Sequence, residues 1–191
     1  MPRAGGVLIA GGAAVLALHY YGFLHSHTVQ KKALQWLDTK EAARPALPAG
    51  PLTSIVPRDL RHGDVVGELS IPRLHLSVMV FEGDDAGVLN VGAGHIPGTG
   101  LAAGEGNIGI AAHRDTFFRP LRGIHASDLI TLRTPSGTSQ FAVTETEIVR
   151  PSQVEVLAPV PGRNLTLVTC YPFAWAGHAP QRFIVHAKKI G

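Results

Sequence analysis

The sequence predicts a mostly β domain, either an antiparallel barrel or a sandwich, and three observations support this class. Past residue 63 the apolar runs are short, turn residues separate them frequently, and several runs alternate apolar with polar side chains. The composition agrees, because 45% of the residues are hydrophobic, 22 are Gly, 14 are Pro and only 16% are charged. The 191 residues are enough for one such domain and an appendage.

The N-terminal segment is the appendage, and its composition predicts a membrane span. Residues 4–24 contain no Asp, Glu, Lys or Arg, and as a helix they would extend about 30 Å, the thickness of a bilayer core. A cleaved signal peptide is the alternative, but no small-x-small cleavage site follows. We therefore assign residues 1–25 to a transmembrane signal-anchor, although Lys31 and Lys32 after the span do not favour an N-in orientation.

Residues 26–62 are predicted to connect this span to the folded domain. Residues 26–43 favour a helix with an apolar side formed by Val29, Leu34, Trp36 and Leu37. The stretch "RPALPAGPLTSIVPRD", 44–59, combines prolines with small residues, which is typical of a linker. The folded domain is then expected over residues 63–191.

Seven segments of strand length follow one another in this domain. They are VVGELSIP (65–72), LHLSVMVFEG (74–83), NIGIAAHR (107–114), DLITLRT (128–134), SQFAVTETEIV (139–149), LTLVTCY (165–171) and RFIVHAKK (182–189). Only short helical pieces fit between them, DDAGVLNVGAG (84–94) and SQVEVLAP (152–159).

Charge and cysteine content exclude some classes of protein. Lys and Arg number 17 against 14 Asp and Glu, and this net charge of +3 is spread along the chain, so we expect no nucleic-acid partner. The single cysteine, Cys170, cannot form an intramolecular disulfide. One free thiol therefore remains to be explained.

A reactive role for Cys170 requires a cationic or basic neighbour, because the thiolate is the nucleophile and a free thiol is little ionised at neutral pH. His113 lies at the end of the apolar segment "NIGIAA", and Arg182 begins the last strand. The loop before Arg182 is short enough for the two strands to pair, which would place its guanidinium beside Cys170. Spacing alone leaves the alternatives open: a buried core cysteine, and a histidine and an arginine with structural roles.

Three motifs occur together in this chain and resemble those of one family. "LTLVTC" resembles the TLxTC signature of sortases, the membrane-anchored cysteine transpeptidases of bacterial surfaces. "AAHRDTFFRPL" and "APQRFIV" resemble the His and Arg motifs of that family in the same order, over roughly residues 65–188, and most closely those of class D. "GHIPGT", 94–99, is similar to the segment before the His strand, whereas Ala112 stands where the family pattern has Gly.

The resemblance implies an eight-stranded sortase-type barrel with short helices, preceded by the transmembrane helix. It implies that Cys170 is the nucleophile, His113 the general acid and base, and Arg182 the donor that orients the substrate carbonyl and stabilises the oxyanion. These roles agree with what the chemistry needs. Thr169 is implied as a substrate contact, with a plain β-branched strand residue as the alternative. Asp115 either orients His113 or caps the next turn.

The resemblance also implies the partners and the location. The substrates would be exported proteins with a C-terminal LPxT-type sorting signal, cleaved after Thr, and the acceptor an amine of a cell-wall precursor or a protein lysine. The catalytic domain of a single-pass membrane protein would then face outside the cytoplasm. We expect no cofactor and no metal, since His25 and His27 lack further ligands nearby in sequence.

Transpeptidation has three alternatives, and the order of the residues argues against the third. The first is a cysteine peptidase acting mainly by hydrolysis, and the second is a non-catalytic peptide-binding barrel at the membrane surface. The third, a papain-like hydrolase, has its Cys early on a helix and its His later, which is the reverse of the order here.

Overall fold

The computed structural model describes residues 3–43, 60–101, 106–175 and 177–190; the predicted linker, 44–59, lies outside them. The described ranges contain the helices α1 (Arg3–Ala42) and α2 (Ala86–Leu89) and short 3-10 turns at Pro72–Leu74, Arg119–Gly123 and Val154–Leu157. They also contain eight strands: β1 (Val65–Ile71), β2 (Leu76–Glu82), β3 (Ala93–His95), β4 (Gly106–Ala111), β5 (Leu129–Thr134), β6 (Gly137–Val149), β7 (Arg163–Tyr171) and β8 (Gln181–Ile190).

The eight strands close into a barrel in the order β1-β2-β3-β4-β7-β8-β6-β5. Seven of them match the predicted segments, and the eighth, β3, lies in a stretch expected to be helical. Its three residues include Gly94, where an added Cβ would lie 2.1 Å from the carbonyl oxygen of Gly83. Only Gly fits so close to a neighbouring backbone, so this strand lacks the β-branched residues that identify the others.

The barrel is mixed, so the expectation of an antiparallel sheet was wrong for two strand pairs. β2 pairs parallel with β3, and β4 pairs parallel with β7. Between β4 and β7 the chain runs through β5 and β6, a connection long enough to return it in the same direction. The hydrophobic patterns marked the strands but carried no information about which distant strand each would join.

The interior of the barrel is filled by side chains from alternate positions of every long strand. These residues are almost fully buried, and they include Leu69, Val80, Ile108, Ile110, Leu132, Phe141, Leu165, Leu167 and Val185. The opposite set of alternate positions on each strand faces outward. This two-residue period decides which side chains of β4, β7 and β8 are available for chemistry.

The helix predicted over residues 26–43 forms, but as the C-terminal part of one continuous helix, α1. Its Ala33 and Leu37 are buried against Met79 and Phe81 on the outer side of the barrel. Helix α1 therefore carries a second, smaller core. Within the described ranges, no helix combines the length and hydropathy needed to cross a membrane.

Polar contacts fasten the same part of α1 to the barrel. Gln30 Nε2 donates to the carbonyl of Val91 at 2.6 Å, and its Oε1 accepts from the backbone N–H of Met79 at 2.8 Å. Arg133 on β5 pairs with Asp38 and Glu41 of α1 at 2.8 and 2.7 Å. The part of α1 from Val29 to Glu41 thus packs directly against the barrel.

Candidate active site

Three neighbouring strands, β4, β7 and β8, bring the sequence-predicted residues together. Cys170 pairs with Arg182 in the antiparallel register of β7 and β8. Ala111 pairs with Val168 at the end of the parallel β4–β7 register, and continuing that register by two residues on each chain puts His113 opposite Cys170. Neighbouring strands are about 5 Å apart, so His113, Cys170 and Arg182 form one row across the sheet.

All three side chains point to the outer side of the barrel. Ile108, Ile110 and Ala112 lie in the interior core, which puts His113 on the outer side of its strand. Leu165 and Leu167 alternate in the same way with Cys170. Each member of the row is partly buried, a position that admits a substrate while limiting contact with water.

The Arg182 guanidinium is already oriented by the loop that precedes it. Its Nη1 donates to the carbonyls of Gln181 at 3.0 Å and Ala179 at 3.4 Å. The other nitrogen atoms of a guanidinium remain able to donate from the same rigid plane. This arrangement suits a group that must hold a carbonyl oxygen beside Cys170.

A turn directly after β4 positions His113. The backbone N–H of Ala112 donates to Val168 at 3.2 Å, which continues the β4–β7 pairing past the end of the strand. The N–H of Phe118 then donates to the carbonyl of His113 at 3.0 Å, and Phe118 is fully buried. His113 is therefore attached to the sheet on one side and to the core on the other. Asp115, considered as its partner, is exposed.

Thr169 lies one residue before the cysteine but points into the barrel. It is 2% exposed, and its hydroxyl donates to the carbonyl of Ala112 at 2.7 Å. This bond joins β7 to the turn that carries His113, which is a structural use of the side chain. A contact between Thr169 and substrate stays a prediction.

Sequence reasoning missed Arg114, which holds the loop between β7 and β8. Arg114 is 9% exposed, and its Nη2 donates to the carbonyls of Trp175 at 2.7 Å and Gly177 at 3.2 Å. The indole N–H of Trp175 in turn donates to the carbonyl of His178 at 3.1 Å. The only sequence signal for Arg114 was its position in the His113 motif, directly after the histidine.

A second missed group lies in the segment "GHIPGT". His95 is 2% exposed, with Nδ1 at 2.7 Å from a Glu82 carboxylate oxygen and Nε2 at 2.9 Å from the Gly100 carbonyl. The hydroxyl of Thr99 accepts from the N–H of Gly109 at 3.0 Å. These bonds hold residues 96–101, the described part of the loop between β3 and β4, against the outer side of β4.

A cleft of about 510 Å³ lies at the end of β4, β7 and β8 that is far from Cys170. Asn107, Thr166 and His186 line it, together with Glu147 and the 3-10 turn residue Val156. His113, Cys170 and Arg182 are not among its lining residues. Across the described residues, no three His, Cys, Asp or Glu side chains are grouped as metal ligands.

A domain model and a curated relative both match this chain to the same family. A sequence model of the sortase domain matches residues 69–190. Sortase D of Bacillus subtilis is 31% identical over 129 residues, which cover 67% of this chain and 65% of that protein, so this chain spans just under two thirds of its length.

Solved structures agree in fold. A Clostridium perfringens sortase D5 transpeptidase superposes with a TM-score of 0.71 at 25% identity, over 86% of this chain and 99% of that chain. Clostridium perfringens sortase C, solved with the C-terminal cell wall sorting motif, gives a TM-score of 0.64 at 23% identity, over 71% and 77% of the two chains.

Proposed function

The chain belongs to the sortase family, and on that premise we propose that it is a membrane-anchored cysteine transpeptidase. It cleaves an LPxT-type sorting signal after Thr and transfers the acyl group to an amine. The observation that carries this proposal is the row of His113, Cys170 and Arg182 on the outer side of β4, β7 and β8.

The first half of the reaction forms a thioester. The Cys170 thiolate attacks the carbonyl carbon of the Thr residue, and the negative charge that develops on the carbonyl oxygen is stabilised by N–H donors of Arg182. The peptide C–N bond then breaks as His113 gives a proton to the departing amine. The acyl group is left on the sulfur of Cys170, and His113 is left neutral.

The second half restores the enzyme. The nitrogen of the acceptor amine attacks the thioester carbonyl and loses a proton to His113. The C–S bond breaks, a new amide forms, and Cys170 leaves as a thiolate beside protonated His113. Water in place of the amine would give hydrolysis by the same steps, so acceptor binding decides between the two outcomes.

A sorting signal as substrate is supported by geometry and by one relative. The outer side of β4 and β7 leads away from Cys170 toward Gly109, where the loops before β4 and before β7 border it, and a surface of this shape suits an extended peptide. Clostridium perfringens sortase C was solved with a C-terminal cell wall sorting motif. We extend that substrate class to this chain, with a cell-wall precursor or a protein lysine as the acceptor.

Membrane anchoring is supported by the composition of α1. Residues 4–24 carry no charged side chain, and its described large apolar residues before the docked part are exposed: Val15, Leu16, Leu18, Tyr20, Tyr21, Phe23 and Leu24. A bilayer would cover this surface. With the substrates exported, the catalytic domain faces outside the cytoplasm.

Mass spectrometry of the protein incubated with an LPxT-type peptide tests the activity. Wild type should gain the mass of the acyl fragment, lose it when an amine is added, and release the new amide. His113→Ala should keep a thiol that reacts with a methanethiosulfonate but form no transfer product, because no group remains to protonate the leaving amine. Transfer at the wild-type rate by His113→Ala would contradict the assignment.

Reporter fusions after residue 50 test the orientation. A reporter active only outside the cytoplasm should function at this position, and a cytoplasmic reporter should be silent. The reverse result would show that the domain faces inward and that exported proteins are not its substrates.

A further inference from the structure

The loop between β6 and β7, residues 150–162, lies across the outer side of β4 and β7 at a distance from Cys170. Its 3-10 turn, Val154–Leu157, borders the cleft at the far end of these strands. On the outer side of β4, β7 and β8, residues at every second position align in four rows across the sheet. The rows are His113–Cys170–Arg182, Ala111–Val168–Ile184, Gly109–Thr166–His186 and Asn107–Asn164–Lys188. Rows are about 6.6 Å apart, so the Gly109 row lies roughly 13 Å from the Cys170 row.

Asn107 on β4 holds this loop to the sheet by hydrogen bonds. It is 4% exposed, and its Nδ2 donates to the carbonyls of Val156 at 3.2 Å and Ala158 at 3.4 Å. Carbonyl oxygens accept only, so the amide must turn its nitrogen toward the loop and its Oδ1 toward Thr166. The Thr166 hydroxyl donates to that Oδ1 at 2.8 Å, which holds the amide in this orientation.

The two bonded carbonyls flank Leu157, the loop residue that reaches Gly109. A Cβ built on Gly109 would lie 3.0 Å from a methyl of Leu157, 3.0 Å from that of Thr99 and 3.2 Å from that of Ile96. The β6–β7 loop and the β3–β4 loop therefore meet above this glycine. The two loops together block the outer surface of β4 and β7 at a distance from Cys170 that about four extended residues would span.

We propose that Asn107 is a positioning residue for peptide binding, which fixes the β6–β7 loop as the end wall of the surface that leads to Cys170. This inference rests on the proposed function. Asn107 lies about three rows from Cys170 and contacts no reacting atom, so it acts through the loop alone. Its loss should weaken peptide binding while leaving the chemistry of the row intact.

Two substitutions test this role, with Asn90→Asp as the matched control on an exposed helix end. Asn107→Asp keeps the shape and the bond from Thr166 but replaces two donors with an oxygen that faces two carbonyls. Asn107→Ser removes the same donors without adding a charge and serves if the aspartate variant does not fold. For each variant, kcat and KM for an LPxT-type peptide are measured, together with hydrogen exchange of residues 151–162.

Both Asn107 variants should raise KM for the peptide at least about fivefold with kcat within twofold of wild type. Exchange in 151–162 should become faster, while reaction of Cys170 with a methanethiosulfonate should keep its wild-type rate. Asn90→Asp should match wild type in every measurement. An active wild type with unchanged KM or unchanged loop exchange in Asn107→Ser would overturn the positioning role, whereas a wild type that forms no acyl adduct would overturn the proposed function.

Discussion

The two opposite sides of the barrel use the same kind of strand for different purposes. On the outer side of β4, β7 and β8, the row of His113, Cys170 and Arg182 is only partly buried and is bordered by loops. On the outer side of β5, β1 and β2, helix α1 covers the sheet, and Leu37 is fully buried. Reactive groups need access, whereas anchoring groups need burial, so changes on the first side should alter rates and changes on the second should alter stability.

Replacing Cys170, the proposed nucleophile, should have the largest effect. We expect Cys170→Ala to reduce peptide cleavage by at least about 10³-fold, because no other thiol can form the acyl intermediate. The fold should persist, since a small truncation at a partly exposed position leaves little cavity. Activity assays and thermal unfolding check both statements. Cleavage that survives in Cys170→Ala, or a large drop in melting temperature, would indicate a structural cysteine.

Arg182→Lys should follow, with a loss of about 10²-fold or more in activity. A planar guanidinium that bonds Gln181 and a carbonyl oxygen at once is not replaced by the single point charge of an ammonium group. The loss should appear in kcat rather than KM, since the contact strengthens as the oxyanion forms. Arg119→Lys, on an exposed arginine in the turn after His113, is the control and should stay near wild type.

On the helix-covered side, Leu37→Ala should destabilise the protein by about 2–5 kcal/mol. Leu37 has no exposed surface and packs with Met79 and Phe81. Denaturant unfolding measures the loss, and kcat assayed well below the melting temperature should remain within twofold. Trp36→Ala, on the partly exposed side of the same helix, should cost less stability despite its larger side chain. Equal losses would contradict the docking of α1.

The smallest expected effect concerns Asp128, just before β5. Hydrogen bonds from Arg73 and from the backbone N–H of His125 lower the pKa of this carboxyl below its ordinary 3.8. The stabilisation is therefore present above pH 3.8 and is lost as the pH falls through the lower pKa of the folded state. Asp128→Asn should lower the melting temperature by about 2–4 °C at pH 7.

A pH series completes this test. The difference between Asp128→Asn and wild type should shrink as the pH is lowered below 3.8, because wild type then loses the charged form as well. A difference that stays constant down to pH 2 would mean that the charge of Asp128 does not contribute.

Local patterns in the sequence predicted much of this architecture. Seven of the eight strands, the helix past residue 26 and the pairing of Cys170 with Arg182 were predicted, and the last is confirmed by the register of β7 and β8. Strand periodicity and the pairing of strands joined by a short loop depend on residues close together in the chain, which is why the sequence alone predicts them. The family resemblance supplied the closed barrel of eight strands, and the sortase domain match confirms the family.

Only the tertiary structure decided how distant segments meet. The parallel pairing of β4 with β7 brings His113 to Cys170, and no local pattern specifies the partner of a strand. Asn107 bonds a carbonyl 49 residues away, and Arg114 bonds one 61 residues away. The sequence by itself determined seven of the eight strands and the types and order of the candidate site residues, because these follow from local periodicity and side-chain chemistry. The loop anchors, the docking of α1 and the row across β4, β7 and β8 came from burial and hydrogen bonding between segments that are remote in sequence, which only the folded chain brings into contact.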